Sequence, residues 1–371
     1  MELRPFALER FFAKHEFSTR FLLCSSDPES WRTSEILALE PGSQEQYLDH
    51  WLGYTESLGA AGLRTEIAKI YTTIDQADVV CFAGAEEGIY WFVHAALQSG
   101  DHAIVHTPCY QSHTELARSV GAEVSEWRAT EENQWSLNID ELKRLIRPTT
   151  KVILLNSPHN PTGAQLSHQV FAEVNVLAQA HGIVVFSDEV FRECEFDPSL
   201  RLPAACDTNS SAVSLGVVSK TYGLPGLRIG WIATHNRGIL ERMSNMKDYT
   251  TICNSAPSEF LATIALRHRS TLAARTLSII AGNLTLLDGF FKRYADAFQW
   301  VRPVASPMAF PKYLGGDIDV FADRLLRDAG VLLLPGTVYG DAGNHFRLGF
   351  GRKNMSEALQ AVEQYLRTKH Q

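Results

Sequence analysis

Five short β-rich runs set the frame for this chain: Val79 to Phe82, Ala103 to His106, Lys151 to Leu155, Ile183 to Phe186 and Ala212 to Val218. Helical stretches follow three of them, ending at about Gln98, spanning Gln111 to Val120, and spanning Gln169 to Ala180. Parallel strands need a crossover connection, and crossover helices cover a sheet on both faces. The alternation therefore predicts an α/β fold with a mostly parallel sheet. Open sheets of this kind bind ligands at the carboxyl ends of their strands, so the residues just after each run carry the functional information.

Outside this frame the pattern changes. A short amphipathic helix fits Pro5 to Glu16, followed by an extended Phe21 to Leu23 and a turn from Ser25 to Pro28. A helical segment from Gln44 to Trp51 leads to Tyr54, and Gly59 precedes a helix carrying Leu63, Ile67 and Ile70. Beyond Trp231 come helices near Ser258 to Arg267 and Leu272 to Phe291, then a smaller α/β unit. That unit has a strand at Met308 to Tyr313, a helix at Asp317 to Ala329 and a strand at Val331 to Leu334. The long helix is the natural hinge between the two units.

The strand ends hold a distinctive set of side chains. Lys220 follows the last run and enters a turn built from Gly223, Pro225 and Gly226, with Arg228 eight residues on. A lysine here is either a solvated loop residue or an amine beside a cation, and a nearby cation favours the neutral, nucleophilic form. Small residues at Gly84, Ala85 and Glu86, where a strand meets a helix, either cradle a phosphate on free N–H groups or simply pack the helix on the sheet. Asn160 lies in a rigid loop between Pro158 and Pro161. Asp188 ends an apolar strand, where a carboxylate costs roughly several kcal/mol unless it finds a cationic partner or serves as an N-cap. Tyr110 is a core aromatic or a stacking ring. Arg347, in a β-like stretch before Gly351, is a strand-edge residue or a bidentate grip for a carboxylate.

The run from Ser219 and Lys220 through Gly223, Leu224, Pro225, Gly226, Leu227 and Arg228 to Gly230 resembles the lysine-attachment signature of the class I/II aminotransferases. These are fold-type I enzymes that use pyridoxal 5'-phosphate (PLP). The resemblance implies a mostly parallel seven-stranded-type sheet in a large domain with a smaller α/β domain. Residues 1–45 would belong with the small domain, 46–275 form the PLP-binding domain and 276–371 the small C-terminal domain. It further implies that Lys220 holds PLP as a Schiff base, that Ser219 and Arg228 grip its phosphate with the backbone of Gly84, Ala85 and Glu86, and that Tyr110 stacks on its ring. Asn160 would bond its 3'-oxygen and contact substrate, Asp188 would keep its pyridine nitrogen protonated, and Arg347 would take the substrate carboxylate. The spacing of Asp188, 28 residues after Asn160 and 32 before Lys220, is that of the family. Tyr54, with Gly59, Leu63 and Arg64, resembles the tyrosine that reaches the PLP phosphate of the other subunit, which implies a homodimer.

Two positions depart. Val217 stands where the family has Ser or Gly, and Phe191 where it commonly has a tyrosine bonded to the 3'-oxygen. Relatives with phenylalanine there, capreomycidine synthases among them, carry out β-elimination and ring closure, so a lyase or cyclase is the alternative to an aminotransferase acting on an L-amino acid and a 2-keto acid. A PLP-binding regulatory protein is a remote third, since it needs neither Lys220 nor Arg347.

Composition narrows the partners. A net charge of −8 argues against nucleic acid or an anionic membrane surface. The six cysteines form no C-x-x-C pair and the thirteen histidines show no ligand spacing, so no metal site is expected. No apolar run has the length of a signal or membrane span, and the expected location is the cytoplasm. Asp27 and Glu29 are either solvated loop carboxylates or a hint of a basic substrate.

Overall fold

Seven strands form the central sheet of the computed structural model, which describes residues 3–340 and 343–369. They are β1 (Val79–Phe82), β2 (His102–Thr107), β3 (Glu123–Arg128), β4 (Thr150–Asn156), β5 (Val184–Asp188), β6 (Val213–Val217) and β7 (Gly230–Ala233). Their order across the sheet is β1-β7-β6-β5-β4-β2-β3. All neighbours are parallel except β7, which runs antiparallel to β1 and β6. Strands β1, β2, β6 and β7 are buried along their whole length, as expected for strands covered on both faces. The run-based reading misses β3. This edge strand carries Glu123, Ser125, Glu126 and Arg128 and buries only Trp127, so it has no apolar signature.

Four helices matter for the site: α1 (Ala7–His15), α2 (Ala85–Ala96), α3 (Gln111–Ser119) and the 25-residue α4 (Arg269–Arg293). The expected strand Met308 to Tyr313 is two strands. Met308–Ala309 pairs with Phe346–Gly349, whereas Lys312–Tyr313 pairs with Phe298–Gln299. Pro311 lies between them and has no N–H to continue a ladder. Val331 to Leu334 divides similarly, into Val331–Leu332 and Leu334–Pro335, on different partners.

The N-terminal segment is stitched to the C-terminal one. Phe21–Leu22 pairs in parallel with Val331–Leu332, and Gly349 N–H donates to Leu23 O at 3.1 Å. The strap that follows, Cys24 to Asp27, lies so close to Gly349 that a Cβ there would sit 2.6 Å from Ser25 N. Only glycine lets the strap cross that strand and enter the cavity at the carboxyl ends of β4 to β6. No described helix is long and apolar enough to cross a membrane.

Candidate active site

A cavity of about 390 Å³ opens where the strands of the central sheet end, closed on its outer side by α1 and the strap. Lys220, Asp188, Asn160, Tyr110, Ala85, Glu86, Ser219, Arg228 and Arg347 all line it. These side chains come from strand ends, helix starts and the distant Phe346–Gly349 strand, so the fold gathers residues spread over 263 positions from 85 to 347.

Lys220 Nζ donates to Ser26 Oγ at 2.9 Å. Its amine is pulled below the ordinary lysine value chiefly by burial; Arg347 and Arg228 act in the same direction and Asp27 and Asp188 oppose them. Arg228 thus acts on the amine in the expected direction, and burial acts more strongly. The Arg228 guanidinium is turned toward the start of α2, where a side chain on Gly84 would collide with Nη2, and its Nη1 donates to Pro225 O at 3.0 Å. Arg228 sits in the left-handed region at φ 53°, and β7 starts two residues later at Gly230.

Beside Arg228 the N-terminus of α2 has no side-chain cap, and Gly84 adopts φ 90°. The buried Ser219 Oγ has no hydrogen-bond partner. Unused N–H groups, an orphaned hydroxyl and a guanidinium converging on one point suit a phosphate. Val217 lines the cavity without a hydroxyl to add.

Asp188 is buried, accepts from Val190 N–H at 3.1 Å and lies 3.2 Å from His113 Nε2. No described lysine or arginine pairs with it, which leaves it able to hold a protonated ring nitrogen. Asn160 Oδ1 accepts from Tyr339 Oη at 3.1 Å and from Arg347 Nη1 at 3.4 Å. With the oxygen so assigned, its Nδ2 remains available to donate into the cavity. Arg347 is only 2 % exposed; its Nε donates to Cys24 O at 2.9 Å and its Nη1 to Tyr339 Oη at 2.7 Å. No described carboxylate pairs with Arg347, so a buried cation faces the cavity with its charge uncompensated.

Phe191 is buried on the same wall, its ring centroid 5.9 Å from Lys220 Nζ. Tyr54 is elsewhere: it is 85 % exposed and no part of this chain's own cavity. Sequence reading missed Ser26, His113 and Tyr339. His113 and Tyr339 act on Asp188 and on Asn160 and Arg347 from α3 and from a turn near the C-terminus, and no local pattern marks them. Ser26 was visible only as part of a turn.

The donor set thus fits PLP at each of its functional groups, and the comparisons with known proteins agree. Residues 24–363 match the family described as aminotransferase class I and II, and the chain belongs to that family. It is therefore a PLP-dependent enzyme of the α/β fold-type I class. Capreomycidine synthase of Streptomyces vinaceus is 29 % identical over 97 % of this chain and 93 % of its own. Among solved structures, a PLP-dependent aminotransferase from Streptococcus suis superposes with a TM-score of 0.93 at 29 % identity, covering 99 % of both chains. The PLP-dependent cyclase OrfR superposes with a TM-score of 0.91 at 27 % identity, covering 100 % of this chain and 98 % of the other.

Proposed function

We propose that the protein transfers the amino group of an L-amino acid to a 2-keto acid with PLP carried on Lys220. The observation that supports this most directly is the pairing in one cavity of a depressed lysine amine and a buried arginine that lacks a carboxylate. Bound there, the cofactor supplies an electron sink for the charge left when the substrate loses its α-proton.

The remaining work falls to the chain. Arg347 takes the α-carboxylate, and its bonds to Cys24 O and Tyr339 Oη hold the guanidinium in place. Lys220 Nζ, below its ordinary pKa, accepts the α-proton and returns it; Ser26 Oγ fixes where that nitrogen waits. Asp188, oriented by His113, would hold the ring nitrogen protonated. Asn160 would donate to the 3'-oxygen, Tyr110 would cover one ring face, and Ser219, Arg228 and the first N–H groups of α2 would hold the phosphate. The test is borohydride reduction followed by peptide mass spectrometry, with keto acid release measured in parallel. Cofactor mass on the Lys220 peptide and keto acid from the amino donor are expected; cofactor on another lysine, or on none, refutes the assignment.

A second reading, β-elimination or ring closure, is favoured by Phe191 and by the likeness to capreomycidine synthase and to the cyclase. The same reaction mixtures separate them: transamination leaves a keto acid and an aminated cofactor, elimination leaves a keto acid, ammonia and unchanged cofactor, and ring closure leaves a cyclic amino acid, the expelled β-substituent and unchanged cofactor with no ammonia.

The enzyme is further proposed to work as a homodimer. Trp51, Leu52, Tyr54 and Tyr249 are each at least 79 % exposed, an apolar set that a second copy would cover while bringing Tyr54 to its partner's cofactor.

A further inference from the structure

Helix α1 shows the cavity a stripe of three residues, Glu9, Phe12 and Glu16. They are three, four and seven positions apart, the spacing that places side chains on one helix face, and Glu16 keeps helical backbone as the C-cap. Phe12 lies next to the carboxylate-binding arginine: the Arg347 guanidinium is 5.7 Å from its ring centroid. A substrate whose carboxylate rests on Arg347 therefore has α1 within reach of its side chain.

No described lysine or arginine pairs with the carboxylates on this wall. Glu16 is half-buried, with no hydrogen bond or ion pair to any described residue, and the exposed Glu9 accepts, among the described residues, from Tyr110 Oη alone at 3.3 Å. Behind Tyr110, Glu86 faces the same cavity; one of its oxygens accepts from Ser112 Oγ and the other, Oε2, is buried without a partner. Glu16 and Glu86 are both pushed above the usual carboxylate range, first by burial, and Glu9 adds to each. Asp27 and Glu29, the acids that the sequence suggests for a basic substrate, are already engaged. Asp27 pairs with Arg352 Nη2 at 2.8 Å, and Glu29 accepts from Lys353 N–H at 3.1 Å.

Charge balance gives the direction. The cavity cations are Lys220, Arg228 and Arg347, and the proposed chemistry commits all three, to the cofactor linkage, the phosphate and the α-carboxylate. No described lysine or arginine is then left to pair with Glu9, Glu16 or Glu86; Arg352, which draws on Glu16, is itself held by Asp27, and His113 draws on Glu86. A neutral or acidic side chain would leave the partly buried Glu16 and Glu86 unpaired, which penalises it, whereas a cation over Phe12 gains from both, with the exposed Glu9 adding a weaker, solvated attraction.

We infer that the preferred amino-acid substrate carries a cationic side chain, guanidinium or ammonium, received by Glu9, Phe12 and Glu16 of α1 with Glu86 behind them. This rests on the PLP-dependent reading of the preceding subsection. The test compares L-arginine with L-citrulline, which replaces the guanidinium by a neutral urea of nearly the same shape. L-lysine against L-norleucine makes a second pair. Both the dissociation constant, from the absorbance change of the bound cofactor, and kcat/KM are measured on the holoenzyme. Arginine and lysine are expected to show a dissociation constant at least about tenfold lower and a kcat/KM at least about tenfold higher than their neutral partners. Glu9→Gln, Glu16→Gln and the double variant should bring the arginine-to-citrulline ratio toward one. Because the ratio is taken within each variant, loss of folded protein cancels.

A wild-type ratio near one overturns the inference, and so does a ratio that the substitutions leave untouched. A basic side chain of a second copy lying on the stripe would also show as a ratio near one. Turnover of citrulline, norleucine or an acidic substrate in preference to arginine sinks the inference while leaving the PLP chemistry standing. An enzyme that binds no cofactor at Lys220, or reacts with no amino acid, removes the reading beneath it and the inference together.

Discussion

Phe191→Tyr should lower the pH at which the bound cofactor changes its absorbance. When the Schiff-base linkage to Lys220 is deprotonated, the cofactor's 3'-oxygen carries the full negative charge; when it is protonated, the oxygen shares that proton. A donor to the oxygen therefore stabilises the deprotonated state more, and the linkage pKa falls. In this chain Asn160 Nδ2 is the donor at hand, since its Oδ1 is taken by Tyr339 and Arg347. Nearby phenols are already engaged: Tyr339 Oη donates to Asn160 Oδ1, Tyr110 Oη to Glu9, and Tyr222 Oη to Glu193 Oε2 at 3.1 Å.

One charge-assisted hydrogen bond contributes roughly 1.5 to 3 kcal/mol, and one pKa unit corresponds to about 1.36 kcal/mol. The variant should therefore titrate about one to two units lower than the parent. Phe191 is 1 % exposed, so the added oxygen must also be accommodated, and a melting curve on the same samples checks that the fold is intact. The assay is a spectrophotometric pH titration of both holoenzymes. Coincident curves would show that another group already donates to that oxygen, and Phe191 would lose its standing as a functional departure.

Two further expectations concern the strap and the second copy. Gly349→Ala should lift Ser25 off the strand beneath it, loosening the Ser26 bond to Lys220 and the Cys24 bond to Arg347. Amino-acid affinity should fall about tenfold or more while PLP stays bound, and a variant with unchanged affinity would show that the strap does not position either residue. Sedimentation should report a dimer, and Tyr54→Phe should weaken PLP retention without altering the mass. A fully active monomer at low concentration would refute the shared site.

The large sheet was legible because strands buried on both faces read as apolar runs, and the ligand-facing residues follow them directly: Asn160, Asp188 and Lys220 each stand within four residues of a strand end. β3 was not, since an edge strand keeps charges on its open side. The short strands near Pro311 were misjudged for a related reason. Two-residue strands carry no period to detect, and a proline inside an apolar run decides between one strand and two. Pairings between distant segments leave no local mark at all, so nothing in the residues around Ser26 announces that a strap crossing Gly349 brings its hydroxyl to Lys220.

The case of α1 shows a limit of a different kind. Read for its apolar residues, the segment from Phe6 to Phe12 gives an amphipathic helix and nothing more, and Phe6, Leu8 and Phe12 do pack inward. Glu9 and Glu16 share a face with Phe12, so an acidic residue at each end of an aromatic was visible in the spacing. What the spacing could not supply was which side of the helix meets solvent. Amphipathic patterns assign charged residues to the outer face by default, and the default fails where a helix forms the wall of a polar cavity. Here Glu9 lines the cavity yet stays exposed while Glu16 is half-buried against it, so the default holds at one end of the stripe and fails at the other, and it is the end that fails that bears on the substrate.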